Sequence, residues 1–360
     1  MSRIAIIDAD LVGRKRHRFP NLVCMKLSAY EKEQGNDVEL KMNYEDLNQY
    51  DKVYLAKVFL DTPVPPEVLE MKNVTYGGIG FFYDKAPKLS AAVEHHMPDY
   101  HLYDGFVNQQ IAAGKRTKEF DEYLNSSIGY LTRGCFRHCP FCVNKNYNRV
   151  EAHSPLSEFL DGRRKVISLL DYNFFGYAGW KDLLLELRAN GKPFKFKRGL
   201  DERLLTPEMC ELLFTSKYAG DFTFAFDNIK DARLIERKIV MARQYTEKAL
   251  KFYCFCGYDR EGKWDEAFWT RDIFELLYRI EILVKYHCIP YVMRFYRYTE
   301  SPWRGVYISI DRWCNQPGFF KKISLRQFAE LNGEKSACYR YLAKFEKANP
   351  AAGYFFDLKF

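Results

Sequence analysis

The chain has 360 residues, of which 47% are hydrophobic and 28% are charged, and its formal net charge is +8. This length is enough for two domains with separate cores, and the composition excludes disordered and fibrous proteins. The small positive charge is compatible with an anionic partner but does not require one.

No apolar run approaches the roughly 20 residues that a membrane-spanning helix needs. The first eight residues form a short strand-like run that ends in an acid, without the basic start and apolar core of a secretion signal. We therefore expect a cytoplasmic protein with no membrane partner. Its ten cysteines should stay reduced in that compartment, so closely spaced cysteines point first to a metal or redox site.

The amino-terminal third alternates short apolar strands with amphipathic helices. The hydrophobic pattern predicts helices at 21–34 and 65–71 and strands at 3–7, 53–59 and 74–76. The last of these strands runs into Gly77, Gly78 and Gly80. This order predicts a small, doubly wound, Rossmann-like α/β domain over residues 1–110. The pattern weakens at 98–123, which we interpret as a connection to the next domain.

From residue 127 onward, strands and helices alternate without a break. We predict strands at 127–132, 166–170, 194–197, 222–226, 252–255 and 289–295, and helices at 156–165, 180–190, 207–216, 232–245 and 272–286. Six such units predict part of a parallel barrel, because each crossover is short and right-handed, and six are too few for the eight-stranded barrel. We expect this core at 124–300. A C-terminal extension follows at 301–360, with helices near 325–329 and 336–347.

A tight cysteine motif follows the first barrel strand. Cys135, Cys139 and Cys142 have the spacing Cys-x3-Cys-x2-Cys, with Phe141 just before the third cysteine. Three thiolates can hold three irons of a cubane cluster and leave the fourth iron open to a ligand. This motif resembles the signature of the radical S-adenosylmethionine (SAM) superfamily. The resemblance covers roughly residues 127–295, and it implies a partial (β/α)6 barrel, in agreement with the six units.

The resemblance implies roles for the motif residues. The three cysteines would hold a [4Fe–4S] cluster, Phe141 would lie beside the SAM adenine, and SAM would chelate the open iron. An electron from a flavodoxin- or ferredoxin-like donor would then cleave SAM to methionine and a 5′-deoxyadenosyl radical, which abstracts a hydrogen from the substrate. The cofactor supplies the difficult chemistry, and the protein orients and shields it.

Other cofactor-binding residues are inferred from the ends of the later strands. The family's Gly-Gly-Glu motif is not matched, and Asp171 and Asn173 are our candidates for the SAM amino group; a helix cap is the alternative. Arg198 or Arg203 could pair with the SAM carboxylate, or belong to a solvated charge run. Gly257 could let the backbone approach the adenosine, or simply form a turn.

Two other metal sites are compatible with the cysteines. His138 would complete a Cys3His zinc set, although zinc ribbons usually contain a second Cys-x2-Cys pair. Cys254 and Cys256 alternate on one strand face and could converge on an auxiliary cluster with Cys314 or Cys338. Packing is the simpler interpretation of these four thiols.

A Rossmann-like domain before a radical SAM barrel resembles the cobalamin-dependent branch of the family. That branch can carry Asp-x-His-x-x-Gly after the first strand, whereas this chain has Asp8, Asp10 and Gly13. Some members bind cobalamin without the histidine, so the change weakens the case for cobalamin without closing it. We expect Asp10 to cap a turn or to pair with Arg14 or Arg16, and the domain to serve substrate recognition rather than to bind cobalamin.

The sequence therefore predicts a radical SAM enzyme that abstracts a hydrogen from a substrate it does not identify; nucleic acid and peptide are both compatible. One alternative is a cobalamin-dependent radical SAM methyltransferase. The other is a non-enzymatic, zinc-bound nucleic-acid module, which the basic and aromatic C-terminal third favours: Arg294, Arg297, Arg304, Arg312, Lys321 and Lys322 alternate there with Tyr and Trp.

Overall fold

The computed structural model describes residues 1–15, 17 and 19–360. The chain forms two compact units. The first comprises Met1–Tyr172 and Ala189–Lys195, and the second comprises Asn173–Arg188 and Phe196–Phe360. These two units are defined by which residues pack together. The three domains predicted from the sequence, at 1–110, 124–300 and 301–360, were defined by the type of supersecondary structure, and that division stays a prediction.

The first unit begins with a four-stranded sheet. Its strands are β1 (Arg3–Asp8), β2 (Asp37–Leu40), β3 (Lys52–Ala56) and β4 (Val74–Gly77). They lie in the order β2-β1-β3-β4, and all neighbours are parallel. The central strand β1 is buried on both faces, as its continuous apolar run predicts. The sequence pattern missed β2, because this edge strand alternates exposed and half-buried residues.

Helices cover both faces of this sheet, so the α/β class is confirmed. They are α1 (Ala9–Gly13), α2 (Leu22–Glu33), α3 (Pro66–Leu69), α4 (Ile79–Phe82), α5 (Ala91–Glu94), α6 (Asp104–Ala112) and α7 (Asp121–Asn125). One apolar core joins α2 to Ile6 of β1, and a second joins α3 to Ile7 on the other face. The stretch at 98–123 is more than a connection: it contains α6 and contributes Tyr100, Tyr103 and Phe120 to the first core.

A hairpin and three more strands follow. The strands are β5 (Ser126–Gly129), β6 (Thr132–Gly134), β7 (Val150–Ala152), β8 (Val166–Leu169) and β9 (Phe194–Phe196). β5 pairs in parallel with β8, and the sheet order is β5-β8-β9. β6 and β7 form an antiparallel hairpin that the sequence pattern missed. The helix predicted at 156–165 is wrong, because a turn at Asp161, whose carboxylate accepts the Arg163 amide at 2.9 Å, leaves only the 3-10 helix Leu156–Glu158.

The second unit contains a parallel sheet with strands β10 (Phe222–Ala225), β11 (Leu250–Cys256) and β12 (Ile289–Arg294), in that order. The helices after residue 172 are α8 (Trp180–Asn190), α9 (Pro207–Phe214), α10 (Ala232–Arg243), α11 (Glu266–Lys285), α12 (Arg304–Cys314), α13 (Pro317–Phe320), α14 (Leu325–Leu331), α15 (Ala337–Ala348) and α16 (Ala352–Phe356). All six predicted strands exist, and a parallel bridge joins Leu200 to Phe224. Their closure into a partial barrel stays a prediction.

The C-terminal extension is helical, as its pattern predicts. The Asn315 side chain, just after α12, accepts the Val292 amide at 2.7 Å and donates to the Val292 carbonyl at 2.9 Å. The extension is thus tied to strand β12. Over the residues that the structure describes, no helix combines the length and apolar character needed to cross a membrane.

Candidate functional site

The cysteine motif lies in the loop of the β6–β7 hairpin. Gly134 has φ +99°, and a Cβ atom there would lie 2.2 Å from the Arg149 carbonyl oxygen, so only glycine lets the two ends of this loop close. Cys135, Cys139 and Cys142 are all partly exposed. The Cys142 amide donates to the Cys139 carbonyl at 2.9 Å. The loop thus holds three partly exposed cysteines within eight residues.

The loop geometry does not favour a single zinc ion. In the described part of the chain, no three His, Cys, Asp or Glu side chains are grouped to hold one metal ion. The Nδ1 of His138, the fourth ligand of the zinc hypothesis, lies 2.7 Å from the Lys145 carbonyl, which leaves its Nε2 to bind a metal. A zinc site needs four converging ligands, whereas each thiolate of a cubane binds its own iron, so the thiols surround the cluster. Three partly exposed cysteines in one loop fit a cluster.

Asp171 anchors the strand that leads into the cysteine loop. Its buried carboxylate accepts the Thr132 amide and hydroxyl, each at 2.6 Å, and the Leu131 amide at 3.3 Å. Burial raises the pKa of Asp171 to about 6, although these hydrogen bonds oppose the shift. Asp171 is therefore a positioning residue for the loop, and its contact with the SAM amino group stays a prediction.

A second ionic group anchors the same strand. Arg133 Nη2 lies 2.8 Å from Glu94 Oε1, and His153 Nε2 lies 3.0 Å from the same oxygen. Burial alone would raise the pKa of Glu94, but the His153 hydrogen bond and the Arg133 and Lys26 charges lower it to about 2. Sequence reasoning missed this group, because its members are some 40 to 60 positions apart and carry no local pattern.

Asp10 lies at the position of the family's cobalt-ligating histidine, and its carboxylate is hydrogen-bonded to other residues of this chain. It is fully buried, and its carboxylate accepts the Val58 amide at 2.6 Å, the Phe59 amide at 3.3 Å and the Thr62 hydroxyl. It thus holds the loop after β3 and is not presented to a cobalt ion. Arg14 pairs with Asp61 at 2.7 Å, so the expected pairing of Asp10 with Arg14 is wrong, and Arg16 lies outside the described residues.

The glycine loop after β4 packs on the end of β3. Gly78 has φ +104°, and a Cβ atom there would lie 2.3 Å from the Lys57 carbonyl oxygen. The Gly80 amide donates to the same oxygen at 2.9 Å, and its own Cβ would lie 2.9 Å away. The two glycines therefore allow the ends of β3 and β4 to lie close together. Ligands of open α/β sheets bind at this carboxyl edge of the strands.

An open cleft of about 550 Å³ lies at the same edge of the sheet. It is lined by Gly13, Arg14, Lys15, His17, Phe59, Asp61 and Pro63. Phe59 and Leu60 are 42% and 54% exposed, and Val58 beside them and Phe82 after β4 are exposed as well. The Arg14 guanidinium lies 4.2 Å from the centre of the Phe59 ring. Exposed apolar side chains next to polar groups are typical of a binding surface.

In the second unit, two of the four predicted residues contact acidic side chains of the chain. Asn173 is buried and precedes the 3-10 helix Phe174–Gly176, whereas Arg198 is exposed. Arg203 pairs with Asp201 at 2.7 Å and with Asp231 at 3.1 Å. Gly257 has φ +80°, and its amide donates to Asp272 at 2.8 Å. The roles of these four residues toward SAM stay predictions.

Sequence reasoning missed Glu202, which lies a few residues after β9. It is 1% exposed; Oε2 accepts the Ala225 amide at 3.1 Å, and Oε1 has no hydrogen-bond partner within the described structure. Burial, and then the Asp201 charge, raise its pKa to about 8. A buried acid with a raised pKa at a strand end is typical of functional sites. The run Asp201-Glu202-Arg203 at a strand end is the signal that could have found it.

The remaining thiols are packing residues. Cys254, Cys256, Cys314 and Cys338 are all buried, and burial raises the pKa of each. No three of these thiols are grouped around one point among the described residues. The described residues thus give no support to an auxiliary cluster.

No family model and no curated protein sequence matches the chain. Solved structures of the radical SAM methyltransferase TsrM from Kitasatospora setae do match. TsrM with cobalamin and a [4Fe–4S] cluster bound has a TM-score of 0.52 and 12% identity, over 82% of this chain and 75% of TsrM. TsrM with its tryptophan substrate and the SAM analogue aza-SAM has a TM-score of 0.52 and 12% identity, over 81% and 73%.

The chain therefore has a radical SAM fold, and the resemblance that the cysteine motif carries is confirmed at the level of the fold. The same comparison corrects the expectation about cobalamin. A solved structure with this fold has cobalamin bound, so the expectation that cobalamin is an unlikely cofactor is wrong.

Proposed function

We propose that this chain is a cytoplasmic enzyme, a cobalamin-dependent radical SAM methyltransferase. The observation that carries the proposal is the cysteine loop at the start of a parallel αβ array, in a chain whose fold is that of a cobalamin- and cluster-bound methyltransferase. This replaces hydrogen abstraction as the preferred reaction. When bound, the cluster and cobalamin supply the electron transfer and the methyl carrier.

The protein's own residues then have distinct tasks. Cys135, Cys139 and Cys142 each hold one iron, and Asp171 and Glu94 hold the strand before them. Phe141 lies beside the adenine of SAM. The exposed apolar side chains after β3 and β4 would contact the corrin, and no side chain at position 10 would ligate cobalt, since Asp10 binds its own loop.

Arg198 and Arg203 both remain our candidates for the SAM carboxylate. At Arg203, SAM would compete with the ion pairs that this side chain makes with Asp201 and Asp231. Asn173 and Gly257 remain our candidates for the SAM amino group and the adenosine. A flavodoxin- or ferredoxin-like protein is the proposed electron donor.

The test is cofactor content, followed by methyl transfer. We expect protein from cells grown with hydroxocobalamin, purified without air, to contain about four irons and one corrin per chain. With SAM labelled in its methyl group and a low-potential reductant, label should pass to a component of a fractionated cell extract. Cys142→Ala is the matched control and should keep the corrin but lose iron and transfer.

Other outcomes separate the alternatives. Iron without corrin, together with 5′-deoxyadenosine from SAM, would favour hydrogen abstraction and overturn the methyltransferase. Stoichiometric zinc without iron would favour the nucleic-acid module and overturn both. Loss of corrin on Asp10→Ala in a protein that remains folded would contradict the assignment of position 10.

A further inference from the structure

The segment that follows the glycine loop contacts the cysteine loop directly. It is the 3-10 helix Tyr83–Lys85 in the first unit. The Tyr83 hydroxyl donates to the Phe141 carbonyl at 2.6 Å. The Asp84 carboxylate lies 3.0 Å from Lys145 Nζ, and the Asp84 carbonyl accepts the Asn146 side chain at 3.1 Å. Three contacts from two adjacent residues thus reach across the second half of the cysteine loop.

The backbone at Tyr83 is held in an uncommon conformation. Its φ of +50° lies in a region that non-glycine residues rarely adopt. Such a conformation is maintained only where several neighbouring contacts hold the backbone in place, and it is typical of functional sites. Upstream, Tyr76 of β4 stacks on Phe82, with ring centroids 5.6 Å apart and an interplanar angle of 5°. The turn is therefore fixed both to the sheet and to the cysteine loop.

We propose that Tyr83 and Asp84 are positioning residues that hold Phe141 and the cysteine loop in the orientation required for SAM. The proposal rests on the proposed function, in which Phe141 lies beside the adenine. The turn follows the glycine loop through the short helix α4, and it contacts Phe141. A ligand that shifts the glycine loop would therefore also shift the loop that binds SAM, and the coupling is reciprocal.

The hydroxyl of Tyr83 can be tested without removing its ring. In Tyr83→Phe, the Phe141 carbonyl loses one hydrogen bond, and we expect SAM affinity to fall about three- to tenfold while the iron content stays unchanged. The matched control is Tyr44→Phe in the same unit, since the Tyr44 hydroxyl has no hydrogen-bond partner among the described residues. A second variant, Asp84→Asn, weakens only the Lys145 pair and should have a smaller effect.

The measurements are the dissociation constant of SAM by anaerobic dialysis and the EPR spectrum of the reduced cluster with and without SAM. Tyr83→Phe should alter the spectrum of the SAM-bound cluster but not that of the cluster alone. Loss of iron in Tyr83→Phe but not in Tyr44→Phe would overturn the proposal, because the hydroxyl would then hold the cluster in place rather than orient Phe141 for SAM. Wild-type SAM affinity and spectra in Tyr83→Phe would overturn the proposal.

Repeating the titration with and without hydroxocobalamin tests the coupling. We expect corrin loading to raise SAM affinity in the wild type, and to do so less in Tyr83→Phe. If corrin binds and leaves SAM affinity unchanged, the coupling is wrong. If no corrin binds to any variant, both the proposed function and the coupling are wrong. The SAM affinities and EPR spectra measured without corrin still test the positioning role of Tyr83.

Discussion

At the scale of single residues, the acids around the candidate site mostly position backbone. Asp10 fastens the loop after β3, and Asp171 fastens the strand before the cysteines. Such carboxylates satisfy buried amides, and a buried amide without an acceptor would cost about 1–3 kcal/mol. Glu202 differs, because one of its buried oxygens has no partner in the described structure. It is the acid whose burial the fold itself does not explain.

Glu202 predicts a pH dependence of stability. Its pKa is about 8 in the folded protein and near its ordinary value of 4.5 in the unfolded chain. Between these values the folded state binds more protons, so raising the pH through this window lowers the free energy of unfolding. We expect the melting temperature of the wild type, measured from pH 5 to 9, to fall relative to that of Glu202→Gln as the pH rises. If the melting temperatures of the two proteins change in parallel with pH, the raised pKa of Glu202 is contradicted.

At the scale of elements, the glycine loop and the β6–β7 hairpin show how short segments set up the site. Both use a glycine with positive φ whose hypothetical Cβ would collide with a backbone carbonyl, that of Lys57 for Gly78 and that of Arg149 for Gly134. Both therefore bring two strand ends closer than any other residue would permit. The helix predicted at 156–165 failed for a related local reason, since the Asp161 turn removes the backbone from the helical path.

Gly78→Ala should destabilise the first unit more than an ordinary left-handed glycine would. Alanine in that conformation costs about 1 kcal/mol by itself, and at Gly78 the new Cβ would also meet the Lys57 carbonyl at 2.3 Å. Gly35→Ala is the control, because Gly35 has φ +79° and open space around it. In urea unfolding, Gly78→Ala should lower the free energy of unfolding by at least about twice as much as Gly35→Ala does. Equal decreases would contradict the prediction, because they would mean that the glycine loop moves to accommodate the new Cβ atom.

At the scale of the whole molecule, the fold depends on apolar cores that lie apart from the cysteine loop. The cores on the two faces of the first sheet include Ile6, Ile7 and Phe120, all fully buried. The three motif cysteines are partly exposed and belong to neither core. On the proposed function, the cluster would therefore supply chemistry to a framework that we expect to fold without it, unlike a structural zinc domain.

Removal of iron should thus leave the protein folded. After chelation under oxidising conditions, we expect the far-ultraviolet circular dichroism and the main unfolding transition to stay close to those of the iron-loaded protein. Only the loop between β6 and β7 should become sensitive to limited proteolysis, because it loses the cluster that holds its thiols. Global loss of helix in the iron-free protein would show that the cluster is structural.

The sequence by itself determined the radical SAM resemblance, the α/β class and the six strands of the core. These features depend on local signals: the spacing of Cys135, Cys139 and Cys142, and the periodicity of apolar side chains. The same signals misjudged 98–123, where the aromatic residues that fill the core of the first sheet follow no simple period.

Only the tertiary structure decided what surrounds the motif. The contacts of Tyr83 with Phe141, of Glu94 with Arg133 and of Asp10 with the 58–62 loop join residues 39 to 58 positions apart. No local pattern records such pairs, because each depends on the path of the chain between its members. The expectation about cobalamin was wrong for the same reason. It was inferred from the residue type at one position of a motif. A ligand site at the sheet edge is instead formed by several loops, which meet only in the folded chain.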